Sequence, residues 1–239
     1  MLALADADSD SLAYVSADCR EIVQTRLGLD WASFGEIAHQ FKAPATRAEL
    51  VLAGAIVAST PGLGSETEWL AADAPPSLAA FLRGDLAGER RGDDVAHAWF
   101  DLLGEMIVST RYDPWITRDS GAWMAYGDGT LVVGDVGDAD WEEGGSATDA
   151  LTALAHASFL MHEASHGVVP GHVPCEDDPD VTCDATVDGA YGVQAWWLTS
   201  WLTAYEWDVS EETRILGYTL RYYACERIED HDGFEPCGG

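Results

Sequence analysis

The chain has 239 residues, 47% hydrophobic and 10% aromatic, so it is long and apolar enough to bury a sizeable core. Its 42 Asp and Glu residues outnumber its 12 Lys and Arg residues, and its net charge is -30 at pH 7. This charge argues against binding to nucleic acids or anionic membranes, because both would repel the protein. We interpret it as a solubility feature, suited to salty surroundings that screen self-repulsion. The alternative is a functional role, such as attracting cationic substrates.

The first 112 residues are predicted to be helical. The second predicted helix has Thr46 as its N-cap and Glu49 three residues later, which is a typical helix start. The three predicted helices cover residues 11–28, 46–60 and 93–112. No repeat or long linker separates this part from residues 113–239, so we expect one domain spanning 1–239.

The pattern changes to strands and then returns to helices after residue 113. Residues 122–135, AWMAYGDGTLVVGD, predict a β-hairpin that turns at Gly127-Asp128-Gly129. Three further helices are predicted at 146–167, 186–207 and 210–228, with Ser146, Asp149 and Thr186 as start signals. The apolar stretch Gly189–Tyr205 is short for a membrane span and contains Gln194, so we expect a buried helix and no membrane span.

The five cysteines suggest two disulfides. Cys175 and Cys183 enclose a short acidic loop, Cys225 and Cys237 enclose the C-terminal tail, and Cys19 is left over. Such pairing predicts an extracellular or periplasmic protein whose leader is absent from this sequence. The alternative is a cytoplasmic protein with reduced thiols.

The strongest chemical signal is His162-Glu163-Ala-Ser-His166, a His-Glu-x-x-His sequence on a predicted helix. Residues four apart lie one turn apart on one helix face, so both imidazoles can bind one ion. Zinc suits these ligands, and Glu163 is placed to accept a proton from the attacking water and pass it to the leaving amine. The remaining histidines lack partners at ligand spacing and are interpreted as structural: His39, His97, His156 and His231.

A catalytic zinc requires a third protein ligand, and the sequence offers two main candidates. His172 follows His166 by six residues, as in metzincins, although the metzincin glycine falls on Val169 and no methionine follows Met161. Asp188 is the second candidate, near the start of the next helix. Asp184 and Glu206 are more remote possibilities.

The segment around Asp188 resembles a known family. Thr186, Asp188, Tyr191 and Gly192 fit the Gly-Thr-x-Asp-x-x-Tyr-Gly pattern of the aspzincins, which include deuterolysin and the lysine-specific fungal metalloendopeptidases. The resemblance covers roughly residues 129–192, about a quarter of the chain. It implies His162, His166 and Asp188 as zinc ligands, Glu163 as general base, and Tyr191 as a hydrogen-bond donor to the reacting carbonyl. His172 stays open as the alternative third ligand.

These features together predict a mainly helical α+β, zincin-like fold, with an active-site helix, a hairpin bordering the cleft and a helical C-terminal part. The predicted function is a zinc metalloendopeptidase that hydrolyses a peptide or protein, which would pair with the hairpin as an added strand. The alternative is a non-catalytic, zinc-stabilised binding module. Glu163 distinguishes them, because a structural zinc site has no need of a base beside its first ligand.

Overall fold

A computed structural model describes residues 43–61, 103–104, 106–113, 124–134, 150–167, 169 and 171–238, together with Val15 and Trp99. The described part is a mixed α+β structure, which confirms the predicted class. Its elements in chain order are α1 (Ala43–Ser59), β1 (Ser109–Tyr112), β2 (Met124–Gly127), β3 (Thr130–Val133), α2 (Ala150–Ser165), β4 (Val173–Pro174), β5 (Thr182–Cys183), α3 (Ala190–Tyr205), α4 (Glu211–Cys225) and a 3₁₀ helix (Glu235–Cys237). The helix predicted over 11–28 and the start signals Ser146 and Asp149 lie outside these residues, Val15 excepted.

The predicted hairpin is confirmed as β2 and β3. Asp128 and Gly129, with φ angles of 50° and 79°, connect the two strands in a two-residue turn that requires positive φ at both positions. Gly127 lies opposite Thr130, and the antiparallel register continues to Met124 opposite Val133. The sheet order is β1-β3-β2, so β2 forms one edge, and this edge contacts α2.

The predicted helix over 93–112 is wrong at its C-terminal end. Residues 103, 104 and 106 are helical, but Ser109–Tyr112 form β1, which pairs with β3 in parallel. Thr110 and Tyr112 are buried while Ser109 and Arg111 are exposed, which is the alternation of a half-buried strand. The partner strand begins about twenty residues later in the chain, so the local pattern could not reveal this pairing.

Helix α2 is the central element of the core. It packs against α1, α3, α4 and strand β2. Trp196, Trp197 and Trp201 of α3 are fully buried and belong to this core. None of the helices in the described part is long and apolar enough to cross a membrane.

Two predicted helix starts are wrong. Helix α1 begins at Ala43, ahead of the predicted N-cap Thr46. The N-cap of α3 is Gly189 and not Thr186, whose hydroxyl instead accepts a hydrogen bond from the backbone N–H of Asp188 at 3.3 Å. Asp188 therefore precedes α3, while Tyr191 is its second residue.

Both predicted disulfides are present. Cys175–Cys183 ties β4 to β5, and Cys225–Cys237 ties the end of α4 to the 3₁₀ helix. The first bridge closes the segment between α2 and α3. Because that segment carries His172, the bridge limits the movement of one residue of the site described next.

Candidate metal centre

Three imidazoles converge at the C-terminal end of α2. His162 lies in the last turn of α2, His166 is the first residue after the helix, and His172 approaches them from the segment before β4. Their ligand nitrogens all lie within 4.8 Å of one another. His162 is buried, and the other two are partly exposed. Within the described part of the chain, this group could hold a metal ion.

Hydrogen bonds fix the orientation of His162. Its Nδ1 lies 3.1 Å from Oε1 of Gln194, and Nε2 of Gln194 donates to the Ser158 hydroxyl at 2.6 Å. Since the amide oxygen faces His162, the imidazole carries its proton on Nδ1. The lone pair on Nε2 then points away from Gln194 and toward the other two histidines.

His172 is oriented in the same way by a carboxylate. Its Nδ1 lies 2.7 Å from Oδ1 of buried Asp184, so Nε2 is again the free nitrogen. The Nε2 atoms of His162 and His172 are 3.1 Å apart. Two lone pairs at this distance repel each other unless a cation lies between them. Two nitrogens bound tetrahedrally to one zinc ion are roughly 3.3 Å apart, so the spacing fits such an ion.

Asp184 also holds the N-terminal end of α3. Its Oδ2 accepts a hydrogen bond from the backbone N–H of Tyr191 at 2.6 Å, which provides the cap that Gly189 lacks. A Cβ atom on Gly189 would collide with the Asp184 carboxylate. Glycine at this position therefore allows one carboxylate to reach both the helix end and His172.

The electrostatic environment favours neutral imidazoles. Burial lowers the pKa of His162 well below its usual value, and His166 and His172 lower it further. Burial also lowers the pKa of His166, as does His172, while Asp184 raises it. Neutral imidazole is the form that binds metal ions.

Glu163 lies beside this group and against the sheet edge. Burial raises the pKa of its carboxyl to about 7, opposed by His172 and by a hydrogen bond from the backbone N–H of Tyr126. In the hairpin, Gly127 and Thr130 form the pair next to the turn, so the backbone N–H and C=O of Tyr126 point away from β3. The carboxyl therefore lies between the histidines and the exposed side of β2.

Tyr191 forms a wall of the centre. Its ring lies 4.4 Å from the His162 ring and 4.9 Å from the His172 ring, measured between centroids. Burial and the neighbouring Tyr223 raise the pKa of its hydroxyl to about 12, so the hydroxyl keeps its proton at neutral pH. The side chain can therefore donate a hydrogen bond.

The structure brings His172, rather than Asp188, next to the two histidines of α2. Asp188 is partly exposed and is not part of the group. Glu206, a remote candidate, accepts a hydrogen bond from the Tyr218 hydroxyl at 2.6 Å. Asp184, the other remote candidate, contacts Nδ1 of His172 and is not part of the group of three imidazoles.

The other histidines fit the structural interpretation where they are described. His156 of α2 lies 3.0 Å from the Glu49 carboxylate of α1, with both side chains fully buried. His231 lies 2.9 Å from the carbonyl of Ile228. His39 and His97 lie outside the described residues.

Gln194 is the contact that the sequence analysis missed. It was noted as a polar residue in an otherwise apolar helix, but its partner was not identified. A lone amide in a buried helix requires a hydrogen-bonding partner, and this signal could have linked it to a histidine of the preceding helix.

Comparison with known proteins gives no match: no protein-family model, no curated protein and no solved structure is similar to this chain. The resemblance to aspzincins therefore stays a prediction. The function has to be argued from the site itself.

Proposed function

We propose that this chain is a zinc-dependent endopeptidase, with His162, His166 and His172 as the metal ligands. The observation that supports it best is the position of Glu163, a half-buried carboxyl between three convergent imidazoles and a sheet edge. Three imidazoles suit zinc, and an open fourth position is typical of catalytic sites. This assignment replaces Asp188 with His172 as the third ligand.

The chain's own residues divide the chemistry between them. A bound zinc ion would supply Lewis acidity, polarising the substrate carbonyl and making water acidic enough to ionise near neutral pH. Glu163 accepts the proton of the attacking water and delivers it to the amine nitrogen that leaves. Tyr191, which stays protonated, donates a hydrogen bond to the carbonyl oxygen as negative charge develops there.

Strand β2 supplies a means of holding the substrate. Its outer edge contacts α2 beside Glu163, and the carbonyl of Tyr126 points outward from the sheet. An extended peptide whose backbone N–H donates to this carbonyl would lie beside Glu163 and the three imidazoles. This binding mode accepts many sequences, because it uses backbone hydrogen bonds, and it therefore suits a protein or peptide substrate.

A zinc-stabilised binding module without catalysis is the competing interpretation. It would need the three histidines and the two disulfides but would gain nothing from Glu163. Desolvating a carboxyl without an ion-pair partner costs free energy, and a purely structural zinc site gives no reason for that cost. The raised pKa of Glu163 therefore favours the enzyme.

We also propose that the protein acts in the extracellular or periplasmic space. The two disulfides fit an oxidising compartment. The proposal predicts that both bridges form in protein recovered from that compartment, and free Cys175 or Cys225 thiols there would contradict it.

The test is Glu163→Gln, which keeps the side-chain shape but removes the base. We expect one bound zinc, as in the unaltered protein, and a loss of about 100- to 10,000-fold in turnover of casein or a fluorogenic peptide. Glu212→Gln, on the exposed face of α4, is the control and should change neither quantity.

Two outcomes contradict the proposal in different ways. Undiminished turnover in Glu163→Gln would remove this residue as the base. A zinc-loaded, unaltered protein that hydrolyses no peptide, with or without chelator, would favour the binding module.

A further inference from the structure

Arg227 lies at the outer end of an aromatic wall that begins at the metal centre. Tyr191 contacts His162 and His172, and the Tyr223 ring lies 6.3 Å from the Tyr191 ring. The guanidinium of Arg227 is 4.8 Å from the centroid of the Tyr223 ring. The Tyr191 and Tyr223 rings therefore connect the candidate metal ligands to the positively charged Arg227 side chain.

Two contacts fix the Arg227 side chain. It stacks on Tyr223, and its Nη1 donates a hydrogen bond to the carbonyl of Thr182 in β5 at 3.1 Å. The side chain is only partly buried, so several of its N–H donors remain accessible.

Arg227 has no ion-pair partner among the described residues, although the chain carries 42 acidic residues. The neighbouring carboxylates are engaged elsewhere. Glu229 accepts a hydrogen bond from the backbone of Glu176, Asp184 binds His172, and Glu226 interacts with Tyr222. Arg111, by contrast, pairs with Asp113 at 3.8 Å.

We propose that Arg227 binds a carboxylate of the substrate, so that the enzyme selects peptides with a negative charge close to the cleaved bond. A guanidinium presents paired N–H donors that match the two oxygens of a carboxylate. The proposal rests on the peptidase function proposed above. The carboxylate can come from an Asp or Glu side chain or from the C terminus of a peptide.

Because of the protein's net charge, substrate preference has to be compared between protein variants. A charge of -30 repels every anionic peptide at long range, whether or not Arg227 is present. The measured quantity is therefore the ratio of kcat/KM for an anionic peptide to that for its neutral counterpart. Comparing this ratio between protein variants cancels the long-range repulsion.

The experiment uses three octapeptides, all acetylated. The first contains one Glu and the second contains Gln at the same position, both with amidated ends; the third contains Gln and a free C-terminal carboxylate. The Glu or Gln is moved through the positions on both sides of the cleaved bond. Mass spectrometry identifies the cleavage site, so the two sources of the carboxylate are separated.

We expect Arg227→Gln to lower the ratio of kcat/KM for one anionic peptide to that for its neutral counterpart by about tenfold or more, as a hydrogen bond to a charged group allows. Arg227→Lys keeps the positive charge but lacks the paired N–H donors of the guanidinium, so it should retain part of the preference. Arg221→Gln removes an arginine that stacks on Tyr218 at 5.2 Å and is the matched control, with the preference intact.

A binding measurement separates failure of this proposal from failure of the peptidase function. The same peptides, fluorescently labelled, are titrated into zinc-loaded Glu163→Gln with and without Arg227→Gln. Tighter binding of an anionic peptide that is lost with Arg227 supports the proposal even if no peptide is cleaved. Equal binding of anionic and neutral peptides, or an equal loss for both in Arg227→Gln, overturns it.

Discussion

Two hydrogen bonds, each donated by an imidazole Nδ1–H, determine the geometry of the candidate metal centre. Gln194 orients His162 and Asp184 orients His172, so that both free nitrogens face the same point. Such partners fix the tautomer and raise the basicity of the ligand. Asp184 is held in turn, because its backbone N–H donates to Arg227 and its carbonyl accepts from Glu229.

We predict that Asp184→Asn weakens zinc binding by about 10- to 100-fold, the usual cost of removing a partner of a metal-binding histidine. The amide can still accept from the N–H of Tyr191, but it has no charge with which to hold His172. Competition with a chromogenic chelator measures the affinity. Asp188→Asn, in the same segment, is the control, and a larger effect there than at Asp184 would contradict the assignment.

Among the secondary-structure elements, the connection between α2 and α3 positions the candidate metal centre. It carries His172 before β4 and Asp184 after β5, and the Cys175–Cys183 bridge joins the two strands between them. The bridge therefore keeps His172 and Asp184 within hydrogen-bonding distance. A long connection that appears irregular in the sequence becomes part of the site.

We predict that replacing Cys175 and Cys183 with Ala weakens zinc binding and lowers stability by about 2–3 kcal/mol, the chain-entropy estimate for a loop of this size. Zinc affinity and chemical denaturation measure the two effects. The Cys225–Cys237 pair, which joins the end of α4 to the 3₁₀ helix and encloses none of the three histidines, is the matched control: its removal should lower stability with a smaller effect on zinc affinity. If both removals weaken zinc binding equally, the first bridge has no specific role.

The sequence predicts those elements whose signals are local. The residues of the hairpin turn, of each cysteine pair and of the His162–His166 pair lie close together in the chain, and the predicted hairpin and disulfides are confirmed. Strand β1 was mistaken for a helix end because its partner lies far along the chain. Long-range pairing overrides local propensity, and one sequence does not encode it visibly.

The same limit explains the third ligand. From spacing alone, His172 and Asp188 were both possible. The structure places the His172 imidazole beside His162 and His166. Gly189 contributes to this arrangement, because its missing Cβ lets Asp184 reach both His172 and the start of α3. This close approach brings together residues from three parts of the chain, so no short sequence pattern reveals it.

At the scale of the whole molecule, the net charge of -30 sets how stability responds to salt. Self-repulsion among acidic side chains destabilises the compact state, and added ions screen it. We predict that raising sodium chloride from about 0.05 M, where the Debye length is longer, to about 1 M increases Tm. Differential scanning calorimetry measures this, and a Tm that falls with salt would contradict the interpretation.

An anomalous-difference map recorded at the zinc edge from a crystal of the zinc-loaded protein tests the metal centre most directly. We predict one peak, about 2.0–2.1 Å from a ring nitrogen of each of His162, His166 and His172. Glu163 should lie beside the peak without binding it. A peak bound by the Asp188 carboxylate in place of His172, or the absence of a peak between the three imidazoles, would contradict the account.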